Sequence, residues 1–208
     1  MRERKVLFWD FDGVIKESVA VKTAAFVRLF EPFGPAIAKR VREHHERNGG
    51  MSRLQKIPLY LEWAGCTVTP EEVARYCELF SAAVLRSVIE SPWVPGAREY
   101  LEANHGRQHL CVITATPQGE IERILHELGI TPWFREVCGA PLAKADAIAS
   151  VLERWRFSRE SALVIGDSQA DYDAAMSNRV EFLLRRTPLN QELQRVHLGL
   201  QCESFINE

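Results

Sequence analysis

The sequence predicts an α/β fold in which a three-layer core is built on a parallel sheet and carries an inserted, all-helical cap. In the second half of the chain, short apolar segments alternate with helical patterns, which is typical of strand-helix units in a parallel sheet. After the first strand the pattern is helical only, and this order indicates an insertion. The 208 residues can bury the core of one catalytic domain with one insert.

The first strand ends in two acidic residues. The apolar run Val6–Trp9 leads directly into Asp10, Asp12 and Gly13. Because alternate side chains of an extended segment point the same way, Asp10 and Asp12 can face one pocket at the edge where open α/β sheets bind ligands. Two carboxylates so close favour a retained proton or a cation between them, and Gly13 lets the backbone approach a ligand. The alternative is an aspartate pair that caps the following turn or helix.

The insert is expected to span residues 16–90, which leaves residues 1–15 and 91–208 for the core. Its helical patterns cover residues 19–29, 37–47, 53–63 and 70–89. Thr69 and Pro70 give the last of these an N-cap and a proline in its first turn. A segment of this length is a lid rather than a loop, so we expect it to exclude water from a site and to set specificity.

The next strand, residues 109–113, ends in a junction rich in hydroxyl groups. Thr114, Thr116 and Pro117 precede a helical pattern over residues 118–128, and Pro117 suits the first helical turn. A strand-to-helix junction that exposes a hydroxyl beside free backbone N–H groups can hold a phosphate. Thr114 is the stronger candidate for ligand contact, and the alternative role for Thr116 is a plain N-cap.

Lys144 lies where a further helical pattern begins, after a strand candidate at residues 136–138. A cation at a helix N-terminus is unfavourable unless an anion is near. Lys144 is therefore a candidate partner for a phosphate or for Asp10. The alternative is a lysine on the solvated surface.

A second acidic strand end follows at residues 162–165. This apolar segment leads into Gly166 and Asp167, and Asp171 comes four residues later. If a helix begins near Ser168, Asp171 lies in its first turn, close to Asp167 and favoured there by the helix dipole. An N-cap followed by a first-turn acid is the alternative.

Taken in order, these motifs resemble those of the haloacid dehalogenase-like hydrolase superfamily. The matching residues are Asp10-x-Asp12-Gly13-Val14, Thr114, Lys144 and Gly166-Asp167-x-x-x-Asp171. The resemblance covers nearly the whole chain. It implies a Rossmann-like core, a helical cap of the C1 type, a Mg2+ cofactor and phosphoryl transfer through an aspartyl-phosphate.

The resemblance also implies a role for each motif residue. Asp10 is the nucleophile and Asp12 the general acid/base, while Thr114 and Lys144 hold the phosphoryl oxygens. This division fits the chemistry, because phosphate monoesters hydrolyse very slowly unless the reaction is split into two displacements with charge compensation. The metal ligands and their support come from Asp10, the backbone carbonyl of Asp12, Asp167 and Asp171.

Substrate contacts are expected at Phe11, Gly13, Ala115 and Arg53. Arg53 begins a cap helix directly after a break that contains Gly49 and Gly50. Its guanidinium could grip an anionic or hydroxylated substrate through its fork of donors. The alternative is a glycine C-cap followed by an exposed arginine.

These features predict a Mg2+-dependent phosphatase acting on a small phosphorylated molecule, either a sugar phosphate or the phosphate of a small organic acid. The alternatives are a sugar-phosphate mutase that resembles β-phosphoglucomutase and a catalytically silent protein that binds a phosphometabolite. Asp12 argues against dehalogenases and phosphonatases, which by resemblance lack an acid there. Phosphonatases also use a cap lysine, and nothing in the sequence singles out Lys22 or Lys56.

The amino-acid composition limits which binding partners and which cellular compartment are expected for the protein. A net charge of −2 provides no electrostatic argument for binding nucleic acid or a membrane surface. No apolar segment approaches the length of a membrane span. The five cysteines are scattered, as expected for reduced thiols in a cytoplasmic protein. The sequence leaves the oligomeric state open.

Overall fold

The structure, a computed structural model, describes residues 1 and 3–206, and a six-stranded sheet forms the centre of this part of the chain. The strands are β1 (Val6–Trp9), β2 (His109–Pro117), β3 (Glu136–Ala140), β4 (Ala162–Gly166), β5 (Glu181–Arg185) and β6 (Leu200–Cys202). All neighbouring strands pair in parallel, in the order β3-β2-β1-β4-β5-β6. From β1, the strands β2 and β3 follow on one side of the sheet, and β4, β5 and β6 follow on the other. Open sheets bind ligands at such a switch point, outside the carboxyl ends of the strands.

Helices cover both faces of the sheet. They are α5 (Ala97–Asn104), α6 (Gln118–Glu127), α7 (Lys144–Trp155), α8 (Gln169–Asn178) and α9 (Gln191–Val196). Successive residues of β1 alternate between the two faces: Val6 and Phe8 pack with α7, α8 and α9, whereas Leu7 and Trp9 pack with α5 and α6. The result is the predicted three-layer core.

Four helices lie between β1 and the helix that precedes β2. They are α1 (Val19–Phe30), α2 (Pro35–Arg47), α3 (Arg53–Trp63) and α4 (Pro70–Glu90). Aromatic rings hold them together: Phe26 lies 3.9 Å from Phe80, and Phe30 lies 5.5 Å from Tyr60, between ring centroids. All four rings are almost fully buried, so the inserted helices have an apolar centre of their own. The inserted, all-helical cap is thereby confirmed.

Two chain segments run side by side between cap and core. Lys16 forms an isolated antiparallel bridge with Trp93, and the amide of Glu17 donates to the carbonyl of Pro92 at 2.8 Å. The Lys16 ammonium donates to the carbonyl of Ile89 at the end of α4. The junction therefore lies near the predicted division at 16–90, although the exact boundaries stay a prediction.

The strand that ends in the threonines is longer than predicted. β2 continues through Thr114 and Thr116 to Pro117, which pairs with Ala140 of β3 after a shift of register. Pro117 is therefore the N-cap residue of α6 rather than part of its first turn, and the alternative in which Thr116 caps this helix is wrong. Tertiary pairing of the strand decides this boundary.

None of the five cysteines forms a disulfide, and Cys111 and Cys138 lie in β2 and β3 as predicted. Within residues 1 and 3–206, no helix combines the length and apolar character that a membrane crossing requires.

Candidate active site

Three carboxylates and one ammonium group converge at the carboxyl ends of β1 and β4. Carboxylate oxygens of Asp10, Asp167 and Asp171 lie within 4.8 Å of one another. The Lys144 ammonium bonds to Asp10 at 2.9 Å and to Asp171 at 2.6 Å. Lys144 thus points into the site from the start of α7, and the alternative of a surface lysine is wrong.

Two glycines make room for this cluster. Gly13 has a φ of +77°, and a Cβ at that position would lie 2.2 Å from an Asp167 oxygen. A Cβ on Gly166 would lie 2.2 Å from the Cβ of Asp171. Both distances are far below van der Waals contact, so the carboxylates can approach only where these backbone positions lack a side chain.

The first turn of α8 orients Asp171. The Ser168 amide donates to Asp171 Oδ2 at 3.2 Å as one half of a capping box, and the Ser168 hydroxyl donates to the same oxygen at 2.5 Å. The other oxygen, Oδ1, accepts from Lys144. Asp171 therefore lies beside Asp167, as predicted, and it also takes part in capping α8, which was the alternative role.

The cluster carries more negative than positive charge in a buried setting. Burial raises the pKa of Asp10 to about 7, the charge of Asp171 adds to this, and Lys144 opposes it. Burial and the charge of Asp10 also raise the pKa of Asp167 well above its usual range. Burial alone would lower the pKa of Lys144, but Asp10 and Asp171 outweigh burial and hold it above its ordinary value.

This donor set fits a divalent cation. Three clustered carboxylates supply the hard oxygen ligands that Mg2+ prefers, and an added cation would relieve their mutual repulsion. The residues that would hold it are Asp10 and Asp167, with Asp171 beside them.

Asp12 stands apart from the three-acid cluster. Its carboxylate accepts from Ser18 at 2.6 Å, from Thr116 at 3.2 Å and from the Lys22 ammonium, with which it forms an ion pair. Burial would raise the pKa of Asp12, but the Lys22 charge and these three hydrogen bonds lower it below its usual value. Among the predicted metal ligands, Asp12 can therefore contribute only its backbone, as the resemblance implies.

The two threonines of β2 have different partners. Thr114 is buried and lines the cavity, and its hydroxyl accepts from the Thr116 amide at 3.2 Å. Thr116 bonds through its own hydroxyl to Asp12 and Lys22. Thr114 is thus available to a ligand, whereas Thr116 helps to hold the acid.

Of the other three residues predicted to contact substrate, one lines the cavity and two do not. Ala115 lines the cavity, but Phe11 is fully buried in the core and neither Phe11 nor Gly13 belongs to the cavity wall. The Gly13 amide donates to the Lys16 carbonyl at 2.7 Å, so it is already satisfied within its own turn. In the structure, Phe11 and Gly13 shape the backbone around Asp12.

Arg53 lines the cavity, but its donors are engaged. The guanidinium forms a two-pronged pair with Glu120 of α6, with contacts of 2.8 and 2.5 Å, and donates to Ser81 of α4 at 2.5 Å. The Arg53 and Glu120 side chains are only 3% and 9% exposed. The alternative of an exposed arginine is wrong, and Arg53 ties the cap to the core. Its predicted contact with substrate stays a prediction and would require an exchange of partners.

A cavity of about 260 Å³ separates cap and core. Its core wall includes Asp10, Asp12, Thr114, Ala115, Lys144 and Asp167, and its cap wall includes Lys22, Phe26, His45, Arg53, Lys56 and Phe80. The volume suits a small molecule, and the carboxylates of Asp10, Asp12 and Asp167 belong to its core wall.

Sequence reasoning missed several residues of this site. Ser18 and Lys22 lie four residues apart at the start of α1, a spacing that places both on one helix face, and this signal could have linked them to Asp12. His45, which follows His44 on α2, also lines the cavity. Lys56 gave no sequence signal, because its position depends on how α3 packs.

The sequence profile described as haloacid dehalogenase-like hydrolase matches residues 6–184. The chain belongs to this family. Membership confirms the resemblance drawn from the four motifs. Among curated proteins, no significant match to this sequence was found.

Several solved structures share the fold of this haloacid dehalogenase-like hydrolase. A putative phosphoglycolate phosphatase from Lactobacillus delbrueckii subsp. bulgaricus is 18% identical, with a TM-score of 0.71 over 96% of this chain and 94% of its own. CbbY from Rhodobacter sphaeroides, solved in complex with xylulose-(1,5)bisphosphate, is 16% identical, with a TM-score of 0.78 over 98% and 96%. A β-phosphoglucomutase from Clostridium difficile is 18% identical, with a TM-score of 0.76 over 98% and 92%. At these identities the likeness shows the fold.

Proposed function

We propose that this haloacid dehalogenase-like hydrolase is a Mg2+-dependent phosphatase that hydrolyses a small phosphate monoester through a phosphorylated Asp10. The observation that carries the proposal is the division of the acids between two environments. Asp10 lies with Lys144 inside the acidic cluster, whereas Asp12 is held separately by residues of the cap. A nucleophile and an acid/base need such different surroundings.

In the first step, an oxygen of Asp10 attacks phosphorus and the bond from phosphorus to the ester oxygen breaks. The leaving oxygen takes a proton from the Asp12 carboxyl group, which regains a proton from water in the second step. Lys144 offsets negative charge on the nucleophile and the phosphoryl group, and the Thr114 hydroxyl can donate to a phosphoryl oxygen. A divalent cation, when bound, supplies further compensation of this charge.

In the second step, Asp12 acts as a base. It takes a proton from water, whose oxygen attacks phosphorus and releases inorganic phosphate from Asp10. The lowered pKa of Asp12 favours the carboxylate that forms once its proton has passed to the leaving oxygen. We propose that residues 16–90 act as a lid over both steps, since Lys22 and Ser18 of this segment reach Asp12 directly.

The proposed substrate is a sugar phosphate or the phosphate of a small organic acid. A cavity of about 260 Å³ accommodates a molecule of this size. The relatives described as a putative phosphoglycolate phosphatase and as CbbY with xylulose-(1,5)bisphosphate support this range.

The test is release of inorganic phosphate from a panel of phosphorylated sugars, sugar acids and nucleotides, with Mg2+ and with a chelator. We expect the wild-type enzyme to release phosphate only when Mg2+ is present. The Asp10→Asn variant should release it at least about 10³-fold more slowly, because loss of a nucleophile removes most of the catalytic effect. Equal release by wild type and Asp10→Asn would refute the phosphorylated aspartate. Binding of the same compounds without any turnover would instead indicate a silent phosphometabolite-binding protein.

A mutase is the second candidate, because the cap is tied tightly over the nucleophile. The buried pair of Arg53 with Glu120 and the pair of Lys22 with Asp12 both link cap to core, and such closure excludes water. A β-phosphoglucomutase is among the structures with this fold. Conversion of a sugar phosphate to its isomer with little free phosphate would favour this function over hydrolysis.

A further inference from the structure

Lys56 is a buried cation on the cap wall of the cavity. It lies in α3, is only 1% exposed, and lines the space above the carboxylates. Its ammonium contacts Nδ1 of His45 at 2.8 Å. His45 is 4% exposed and lines the same cavity, and its Nε2 is buried without a hydrogen-bond partner.

Lys56 lacks the counter-charge that the other buried cations of the cavity have. Lys22 pairs with Asp12, Arg53 with Glu120, and Lys144 with Asp10 and Asp171. Within the part of the chain that the structure describes, no carboxylate lies within 4.0 Å of the Lys56 ammonium. Asp12 acts on Lys56 from a greater distance, but its oxygens are already bonded to Ser18, Lys22 and Thr116.

An unpaired buried ammonium is costly for the folded protein. Burial, together with the charge of Lys22, lowers the pKa of Lys56 to about 7, so its charged form is disfavoured in the empty cavity. The ammonium lies over the ring of Phe26, 5.8 Å from its centroid, which provides a weak cation–π attraction but no counter-charge. An anion placed in the cavity would supply the missing counter-charge, and His45 would keep the ammonium aimed at it.

We propose that Lys56 binds a second anionic group on the leaving portion of the substrate, and that His45 is the residue that positions it. The substrate class is then a phosphate monoester that carries a carboxylate or another phosphate. This inference rests on the proposed function, because the first phosphate must lie at Asp10 and Lys144. Lys56 belongs to the cap wall of the cavity and Asp12 to its core wall, so the second group would lie on the cap side of Asp12.

The experiment compares matched substrates that differ in the second group. In one arm, 3-phosphoglycerate is compared with glycerol 3-phosphate, and this arm tests a carboxylate. In the other, glucose 1,6-bisphosphate is compared with glucose 1-phosphate, and this arm tests a phosphate. We expect the wild-type enzyme to prefer the more anionic member of at least one pair in kcat/KM.

The variants are Lys56→Met, which removes the charge, and Lys56→Arg, which keeps it. Lys39→Met is the matched control, because Lys39 lies on α2 of the same cap with its side chain 76% exposed. We expect Lys56→Met to lose at least about tenfold more kcat/KM with the anionic member of the preferred pair than with its partner. Lys56→Arg should recover part of this preference, and Lys39→Met should leave it intact.

Binding and stability provide readouts that do not depend on turnover. In an Asp10→Asn background, calorimetry should show weaker binding of the anionic substrate when Lys56→Met is added. Lys56→Met should also raise Tm, because it removes a buried charge that lacks a partner.

Two results would overturn the proposal: equal losses with both members of each pair, as for a purely structural lysine, or a wild-type enzyme without preference for the anionic members. Release of phosphate from p-nitrophenyl phosphate reports the proposed function separately. If that release does not depend on Asp10, the phosphatase itself is refuted. If it does, and the preference is absent, only the second anionic group is refuted.

Discussion

Lys22 shows how one cap residue can control the chemistry of a core residue. It reaches from the first turn of α1 to bond with both Asp12 and Thr116. Because its charge lowers the pKa of Asp12, the ionisation of this core carboxylate depends on the cap being in place. The charge partner of Asp10 does not depend on the cap, since Lys144 and Asp10 both belong to the core.

We therefore predict that Lys22→Met lowers kcat by about 10²-fold, the scale of a general acid/base contribution, in an assay of phosphate release. In an Asp12→Asn background, the same substitution should have little further effect, because Lys22 acts through Asp12. Independent, multiplicative losses in the double variant would contradict this positioning role. Lys39→Met serves again as the exposed control on the cap.

Gly13 illustrates how a turn makes a site possible. It leaves β1 with a positive φ, and the side-chain oxygen of Asp167 occupies the place where its Cβ would lie. Pairing of β1 with β4 sets the spacing of the two strands, and the glycine turn leaves room between them for the Asp167 carboxylate.

A Gly13→Ala variant should lose most turnover, by about 10²-fold or more, because a small displacement of Asp167 and the backbone of Asp12 misplaces the reacting groups. Gly119→Ala is the matched control: Gly119 lies in α6, and a Cβ there meets nothing within 4 Å. We expect that control to keep wild-type kcat and to gain up to about 1 kcal/mol in the free energy of unfolding. Wild-type activity of Gly13→Ala would show that the turn does not set the geometry.

The pair of Arg53 and Glu120 links α3 of the cap to α6 of the core. Both side chains are buried, and Arg53 also bonds to Ser81 of α4, so three helices meet at one guanidinium. A buried charge pair adds little to the net free energy of folding. Removal of one member is nevertheless strongly destabilising, because the other charge stays buried without a partner.

Glu120→Gln should lower the free energy of unfolding by about 3–5 kcal/mol, because Arg53 is left buried without its counter-charge. The double variant Arg53→Met with Glu120→Leu should recover much of this loss, as measured by urea denaturation. Glu90→Gln, which breaks the exposed pair with Arg86, is the control and should have no measurable effect. A Glu120→Gln variant as stable as wild type would mean that water solvates Arg53.

The whole molecule depends on charge compensation at one edge of its sheet. Six parallel strands bring Asp10 and Asp167 together from distant parts of the chain, and the first turn of α8 adds Asp171. This concentration of negative charge opposes folding unless a cation is bound.

Mg2+ should therefore raise Tm, and a chelator should lower both Tm and turnover. The expected stabilisation is about 2.7 kcal/mol at a metal concentration one hundred times Kd. Asp167→Asn should reduce the shift in Tm by more than half, whereas Asp173→Asn, on the exposed side of α8, should not. A shift in Tm that is the same in wild type and Asp167→Asn would place the cation elsewhere.

The fold and the core residues that meet at the carboxyl ends of the strands could be predicted because each depends on local pattern. The apolar runs that form the strands, and the residues Asp10, Thr114 and Asp167 that follow them, can be recognised in the sequence. In the structure these three side chains line the same cavity. The inserted helices were visible for the same reason, since Thr69 and Pro70 mark the start of α4 within the sequence. Local patterns also placed Lys144 at a helix start, where only a nearby anion makes a cation favourable.

Contacts between cap and core could not be predicted in this way. The partners of Arg53 and Lys22 lie 67 and 94 residues away along the chain, in Glu120 and Thr116. Whether Arg53 meets solvent, a substrate or Glu120 depends on how α3 packs across α6, and no periodicity in the sequence encodes that packing. The same holds for Lys56, whose neighbours give its charge no partner.

The sequence by itself determined the strands from β1 to β4, the helical insert, and the acids and glycines that follow β1 and β4. These are consequences of periodicity, backbone freedom and helix capping, which act over a few residues. Only the tertiary structure decided which charges are paired, because ion pairing depends on distances across the cap-to-core interface. It paired Lys22 with Asp12 and Arg53 with Glu120, and it left Lys56 buried beside His45 with room for an anion.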